Sequence, residues 1–318
     1  NLRYKFWNDY DDLTEYIQYD TLSNVLYSQT RSGAVDTITY FYDNGKKSFE
    51  TLVKCGERLS QKSFYKSGNT KRIVSTSDFV HSKVEYFTPF KKKEITGSYK
   101  NNQMEGEWIW YYPSGKIETR GSYIAGERNG EWLYFYENGN KENITYYNNG
   151  KKDGSMFVYN MEGELQVEKL YRDDFIFGYR YQLEDGKMSE LIPFGKGDEV
   201  MEAKFPNGKI SYRQVYSNGY FNGEGKSYYS NGQLEYSGNF VNYMDEGEFQ
   251  YYYPDGSIWQ KNHYLNGIKH GEFVEYYSNG KTKSIVNYSY DQLHGKSEYY
   301  DEKGKLVYSE FFDSNEEY

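Results

Sequence analysis

Residues 106–115 read GEWIWYYPSG and residues 130–139 read GEWLYFYENG; the phrase returns at 247–256 as GEFQYYYPDG and at 271–280 as GEFVEYYSNG. Self-similarity at a fixed spacing decides an architecture before any single residue does. With the second glycine of the phrase as marker, the series runs Gly115, Gly139, Gly163, Gly186, Gly208, Gly232, Gly256, Gly280 and Gly304, at steps of 24, 24, 23, 22, 24, 24, 24 and 24 residues. It extends backwards through Lys91, Gly68 and Gly45. About twelve repeats of 22–24 residues result.

Within one repeat, Tyr112-Pro113-Ser114-Gly115-Lys116 is a hairpin connection, because proline presets the second turn position and glycine takes a left-handed bulge that other residues resist. Residues 107–112 and 116–123 then form antiparallel strands, with Tyr112 facing Lys116 and Tyr111 facing Ile117. A second turn is signalled where Gly126, Gly150, Gly219 and Gly267, with Asn102 and Asp291, share one position; Tyr243 is the exception. Strand, turn, strand, turn without a helical period between them predicts an all-β chain, an elongated single-sheet solenoid of antiparallel hairpins. Residues 1–30 fit the repeat poorly and read as an N-terminal cap or irregular segment. Residues 31–318 read as the hairpin array, irregular around 175–206, where the spacing contracts.

Two aromatic columns accompany the markers. One lies four residues before each marker, from Phe41, Phe64 and Phe87 through Tyr111, Phe135 and Tyr159 to Tyr300, and fails at Gln182 and Lys204. The other lies eight residues after, at Tyr99, Tyr123, Tyr147, Tyr171, Phe194, Tyr216, Phe240, Tyr264, Tyr288 and Phe312. Strict alternation outward from Tyr111 opposite Ile117 puts both columns on one face. Gly97, Gly121 and Gly238 are expected to let a ring lie across bare backbone. The opposite face then carries Trp108, Trp110, Trp132, Tyr134 and Tyr136. Those rings either pack on one another and on lysine stems or serve recognition, since Trp and Tyr are the usual interface anchors; they are the candidate interaction face.

The pattern G-E-W-x-x-Y-Y-x-x-G-K, followed by G-x-Y-x-x-G-x-x-x-G, resembles the variant MORN repeat of bacterial proteins over roughly residues 37–312. Lys91 at a marker position and the contracted repeats between Gly163 and Gly208 depart from it. The resemblance implies a hairpin array and, for function, a scaffold, a junction protein or a lipid or membrane tether. Members often carry an antitoxin-like label, which implies little without a toxin partner.

Composition excludes several classes. The chain has 318 residues, 20% of them aromatic, so it has apolar area to bury and is not a disordered polyanion despite 27% charged residues and a net charge of -9. No apolar run is long enough to span a bilayer as a helix. The acidic balance disfavours a nucleic-acid groove. Cys55 is the one cysteine and can form neither an internal disulfide nor a cysteine zinc site. Of the four histidines, His270 and His294 sit one repeat apart, roughly 10 Å along the sheet and too far to share a metal. Glu107, Glu131, Glu224, Glu248 and Glu272 form a column whose neighbours could imitate paired glycosidase carboxylates, but a site repeated five times reads as exposed charge guarding each strand. Lys91, Lys92 and Lys93 read as a solvated loop, with phosphate or lipid headgroups as the functional alternative. No nucleophile elbow, phosphate-binding loop, zinc-protease helix or calcium loop is present. The expectation is a non-enzyme without cofactor or metal: a repeat scaffold or accessory subunit that binds another protein. A glycan-binding aromatic repeat is the alternative, and a literal antitoxin a third reading. Richness in tyrosine, asparagine and lysine and an N-terminal Asn1 favour the bacterial cell envelope.

Overall fold

The computed structural model describes residues 3–312 apart from positions 10, 11, 21, 23, 79, 196, 198, 218 and 219, with side chains from residue 15 onward. Gly219 therefore lies outside the described residues. Among them there is no helix, and the strands form two large antiparallel sheets of 17 and 12 strands rather than one. The all-β hairpin array read from the repeat is present. Two compact units divide the chain: Asn1–Gly139 with Tyr147–Gly150, and Asn140–Tyr146 with Lys151–Tyr318.

Each repeat is built by three backbone devices. At the marker turn, Gly115 N–H donates to the Tyr112 carbonyl and Tyr112 N–H to the Lys116 carbonyl, both at 2.8 Å. All twelve markers have positive φ, from 65° at Lys91 to 100° at Gly139, so the lysine is held in the glycine conformation. At the second turn, Ala125 (φ 50°) and Gly126 (φ 87°) lie between Ile124 and its partner Glu127, the two-residue connection whose twist matches that of its strands. Tyr243 takes φ 67° at the same position as Gly126 and is thus no exception to the turn. The third device is a bulge inside the strand Gln103–Tyr111, where Gly106 has φ 68° and the ladder slips between Glu105 and Ile109.

The slip next to the marker turn reverses the expected face assignment. Tyr111 does face Ile117, but Trp110 faces Thr119, because Glu118 is the extra residue of a bulge. Trp108 and Trp110 therefore share a face with Gly121 and Tyr123, and the column at Tyr111 lies on the other face. The two aromatic columns are on opposite sides of the sheet, and the tryptophans belong with the second column.

Neighbouring repeats are fastened by side chains at fixed positions. Three residues before the marker, Tyr42, Tyr65, Tyr112, Tyr229, Tyr253 and Tyr277 donate their hydroxyls to the carbonyls of Phe64, Phe87, Phe135, Tyr252, Tyr276 and Tyr300, at 2.5–2.9 Å. One residue after the marker, Lys46, Lys116, Lys209 and Lys281 reach the carbonyls of Ser67, Glu137, Asn231 and Lys303 in the next turn, at 2.6–2.9 Å. In these repeats the strand ladder and the side chains of the turn both hold one repeat to the next.

In the first unit the successive strands from Arg3–Asp9 to Glu127–Phe135 pair in chain order. One buried cluster there joins Val74, Val84 and Trp108, flanked by Tyr86, Ile95, Tyr99 and Trp110, and Trp132 and Leu133 are buried farther along. In the second unit the ladder thins after Phe175–Arg180 to the two-residue strand Ile192–Pro193 and an isolated bridge between Gln182 and Met188. The strand Glu199–Lys204 then begins the second sheet. Here two sheet faces pack together, burying Val167, Tyr171 and Tyr179 against Met201, Ala203, Tyr212 and Tyr216. Polar groups cross the seam: Ser211 donates to the Gln166 carbonyl at 2.6 Å, Gln166 donates to the Glu235 carboxylate at 2.6 Å, and Lys169 Nζ meets the Tyr212 hydroxyl at 2.7 Å.

Candidate interaction face

The five residues singled out from sequence lie on two successive hairpins but differ in what they contact. Trp108 and Trp132 are 2% and 0% exposed, so they are packing and not surface. Each indole lies on a glycine of the preceding strand: a Cβ at Gly97 would fall 2.2 Å from Trp108, and one at Gly121 would fall 2.2 Å from Trp132. Each indole N–H also reaches a backbone carbonyl, Ser98 at 3.1 Å and Ser122 at 3.2 Å. The expected ring-over-backbone contact exists at Gly97 and Gly121, and at Gly238 beneath Phe249.

Around these seats the rings form a herringbone. Tyr99, Trp108, Tyr123, Trp132 and Tyr147 follow one another edge to face, with centroids 5.1–6.1 Å apart. Trp110 and Tyr134 lie over this floor, in tilted contact with Trp132 at 5.8 and 6.4 Å, and stay partly exposed. Tyr136 lies at the marker turn, partly exposed, its carbonyl accepting from Gly139 N–H. The structure thus brings Trp108, Trp110, Trp132 and Tyr134 together and leaves Tyr136 at the end of the hairpin.

Sequence reading passed over Arg128. Its guanidinium lies 4.5 Å from the Trp132 ring centre and 5.4 Å from that of Tyr147, and donates to the Tyr134 and Tyr147 hydroxyls at 3.2 Å. Burial first, then the neighbouring Tyr147, pushes the Tyr134 phenol well above its ordinary range. The signal was available, since Arg128, Lys152 and Lys269 occupy one position of the repeat. Lys152 lies over Tyr171 at 5.2 Å, and Lys269 over Phe273 and Tyr288 at 5.6 and 5.1 Å.

The remaining sequence candidates are dispersed. Glu107, Glu131, Glu224, Glu248 and Glu272 are all exposed, each following a positive-φ bulge glycine. His263 Nδ1 contacts the His270 carbonyl, and the His270 ring packs on Tyr290. Lys93 pairs with Glu85 at 2.6 Å. Among the described residues no group of three or more His, Cys, Asp or Glu is placed to hold a metal ion, and no helix is long and apolar enough to cross a membrane.

Residues 104–125, 128–151, 221–242, 245–266, 269–290 and 293–314 match the family model described as MORN repeat variant. A crystal structure of a protein of unknown function from Bacteroides caccae is similar at 12% identity, over 86% of this chain and 89% of that one, with a TM-score of 0.24. No curated protein matches the sequence. Each of the six matched stretches carries the positive-φ bulge glycine, at Gly106, Gly130, Gly223, Gly247, Gly271 and Gly295, and the chain thus contains six MORN-variant repeats.

Proposed function

We propose that the chain is a non-catalytic repeat scaffold that binds another protein, as an accessory subunit of a bacterial cell-envelope assembly. The observation that carries this reading is the pair Trp110 and Tyr134, kept partly exposed on a floor of locked rings. Large rings already immobilised by their neighbours lose little entropy on binding, which is what makes such residues effective anchors. The repeated design supports the same reading, because a side chain placed once per hairpin presents an extended surface and not a pocket. Envelope placement rests on composition, the abundance of tyrosine, asparagine and lysine. Replacing Trp110 and Tyr134 together by alanine is expected to leave the chain folded and to abolish stoichiometric recovery of its protein partner from cross-linked envelope fractions. Undiminished recovery counts against this face. Retention on purified cell-wall glycan that is lost in the same variant replaces the protein partner with a glycan, and recovery of a small toxin in fixed ratio replaces it with an antitoxin role.

A further inference from the structure

In the regular repeats the position eleven residues before the marker holds Met104, Arg128, Lys152, Phe221, Asp245, Lys269 and Leu293. The three cations all lie over rings of their own repeat, as described for Arg128, Lys152 and Lys269. Asp245 is the acid of the series. Its frame nevertheless matches that of Arg128: Phe249 stands for Trp132, Tyr251 for Tyr134, Tyr264 for Tyr147 and Phe240 for Tyr123. The herringbone is the same, with Phe240–Phe249 at 5.4 Å and Phe249–Tyr264 at 5.2 Å, against 5.1 and 6.0 Å around Trp132.

A carboxylate therefore occupies the place where this frame elsewhere holds a positive charge against electron-rich rings. Asp245 is half-buried, faces Phe240 across the ladder, and meets no side-chain donor among the described residues. Lys269, opposite Tyr264 in the next repeat, is committed to Phe273 and Tyr288. On the face of the sheet where Asp245 stands opposite Phe240, the rings of Tyr236 and Tyr264 pack on Phe249 at 5.8 and 5.2 Å and Tyr251 packs on Tyr236; burial pushes all three phenols up, with the Asp245 charge as a lesser cause. Glu142 adds a second negative charge beside Tyr251. Tyr236 and Tyr251 stand 5.2 Å apart and complete the ring wall. Frame and charge together are complementary to a cation supplied from outside.

We propose that Asp245, with Tyr236, Tyr251 and Tyr264, binds a primary alkylammonium group, the chemistry that Lys152 and Lys269 supply internally at the equivalent sites. Three hydrogens on the ammonium serve the carboxylate and phenol oxygens while its methylenes lie along the rings. This site is separate from the face at Trp110 and does not rest on the scaffold reading.

The test is titration of the chain with n-butylammonium at pH 7, followed by the NMR ring signals of Tyr236, Tyr251 and Tyr264. Saturable shifts are expected with n-butylammonium and none with n-butanol. Asp245→Asn should weaken binding at least about tenfold, and lowering the pH from 7 to 5 should weaken it about tenfold, because burial holds the Asp245 carboxyl up at about 6. Asp245→Lys, which restores the cation of the other repeats, should abolish binding and melt at a higher temperature than Asp245→Asn. A capped Gly-Lys-Gly peptide that binds more tightly than butylammonium identifies a partner's lysine as the source; a weaker one identifies a free amine. Absence of saturable shifts, equal binding by wild type and Asp245→Asn, or preference for tetramethylammonium, which has no hydrogen to donate, overturns the proposal.

Discussion

A tryptophan can lie flat against a β-sheet only where the strand beneath it carries no side chain. Gly97 under Trp108 and Gly121 under Trp132 provide such seats, and elsewhere the same two positions trade volume: Val74 faces Val84, and Gln214 lies under Gly225. One filled layer is thus reached by different divisions between neighbouring repeats, in keeping with interiors that tolerate volume-conserving exchange. Strain is stored elsewhere. Ala125 is exposed and sits at φ 50°, which costs an L-residue roughly 1 kcal/mol, so Ala125→Gly is expected to raise the unfolding free energy by about 1 kcal/mol, read as a higher urea midpoint. The glycine seats were legible in the sequence, because a glycine outside a turn in a strand signals close approach. The face of the rings above them was not, because one extra residue at Glu118 reverses the alternation, and bulges leave no signature in hydrophobic patterning.

At the scale of the element, a hairpin is marginal by itself and needs its neighbours. The tyrosine three residues before the marker supplies part of that attachment. Tyr229 is fully buried, and its hydroxyl is 2.7 Å from the Tyr252 carbonyl. Tyr229→Phe should therefore cost about 1–2 kcal/mol by leaving that carbonyl without its donor. Tyr112→Phe, at a partly exposed site where water can substitute, should cost less, and comparison of the two chemical denaturation curves checks the difference. Both turn types were readable from glycine, asparagine and proline. The tyrosine hydroxyl bonds were not, because a donor at one position says nothing about which carbonyl lies a repeat away until the register is known.

For the molecule as a whole, buried charge in the second unit makes stability depend on pH. Glu235 accepts from Met161 N–H, Gln166 and Ser227, yet burial outweighs these bonds and raises its carboxyl from 4.5 to about 7. A raised carboxyl means that the folded chain holds a proton the unfolded chain releases. The contribution is complete below about 4.5 and is lost as the pH rises through about 7, to the extent of about 3 kcal/mol. Asp245, raised to about 6, acts in the same direction. Lys169, buried and held well below its ordinary range, acts in the opposite one. The readout is therefore the difference between wild type and Glu235→Gln: the melting temperature of the wild type should fall relative to the variant between pH 5 and pH 8, and parallel curves would show that Glu235 does not titrate in this window.

The repeat was visible in the sequence, and with it the all-β class and the twelve marker turns, because periodic glycines dictate backbone geometry directly. The division of rings between buried and partly exposed was not, because it depends on a register that the bulges reset. A double-mutant cycle at Gly121 and Trp132 tests most directly whether rings seated on a neighbour's bare backbone hold the repeats together. Trp132→Ala should cost about 3–5 kcal/mol and Gly121→Ala a comparable amount, since the added methyl falls 2.2 Å from the indole. The double variant should be no less stable than Trp132→Ala alone, because without the indole the new methyl meets nothing and fills part of the space. Additive losses, or a Gly121→Ala variant that melts like the wild type, would contradict the seated-ring core.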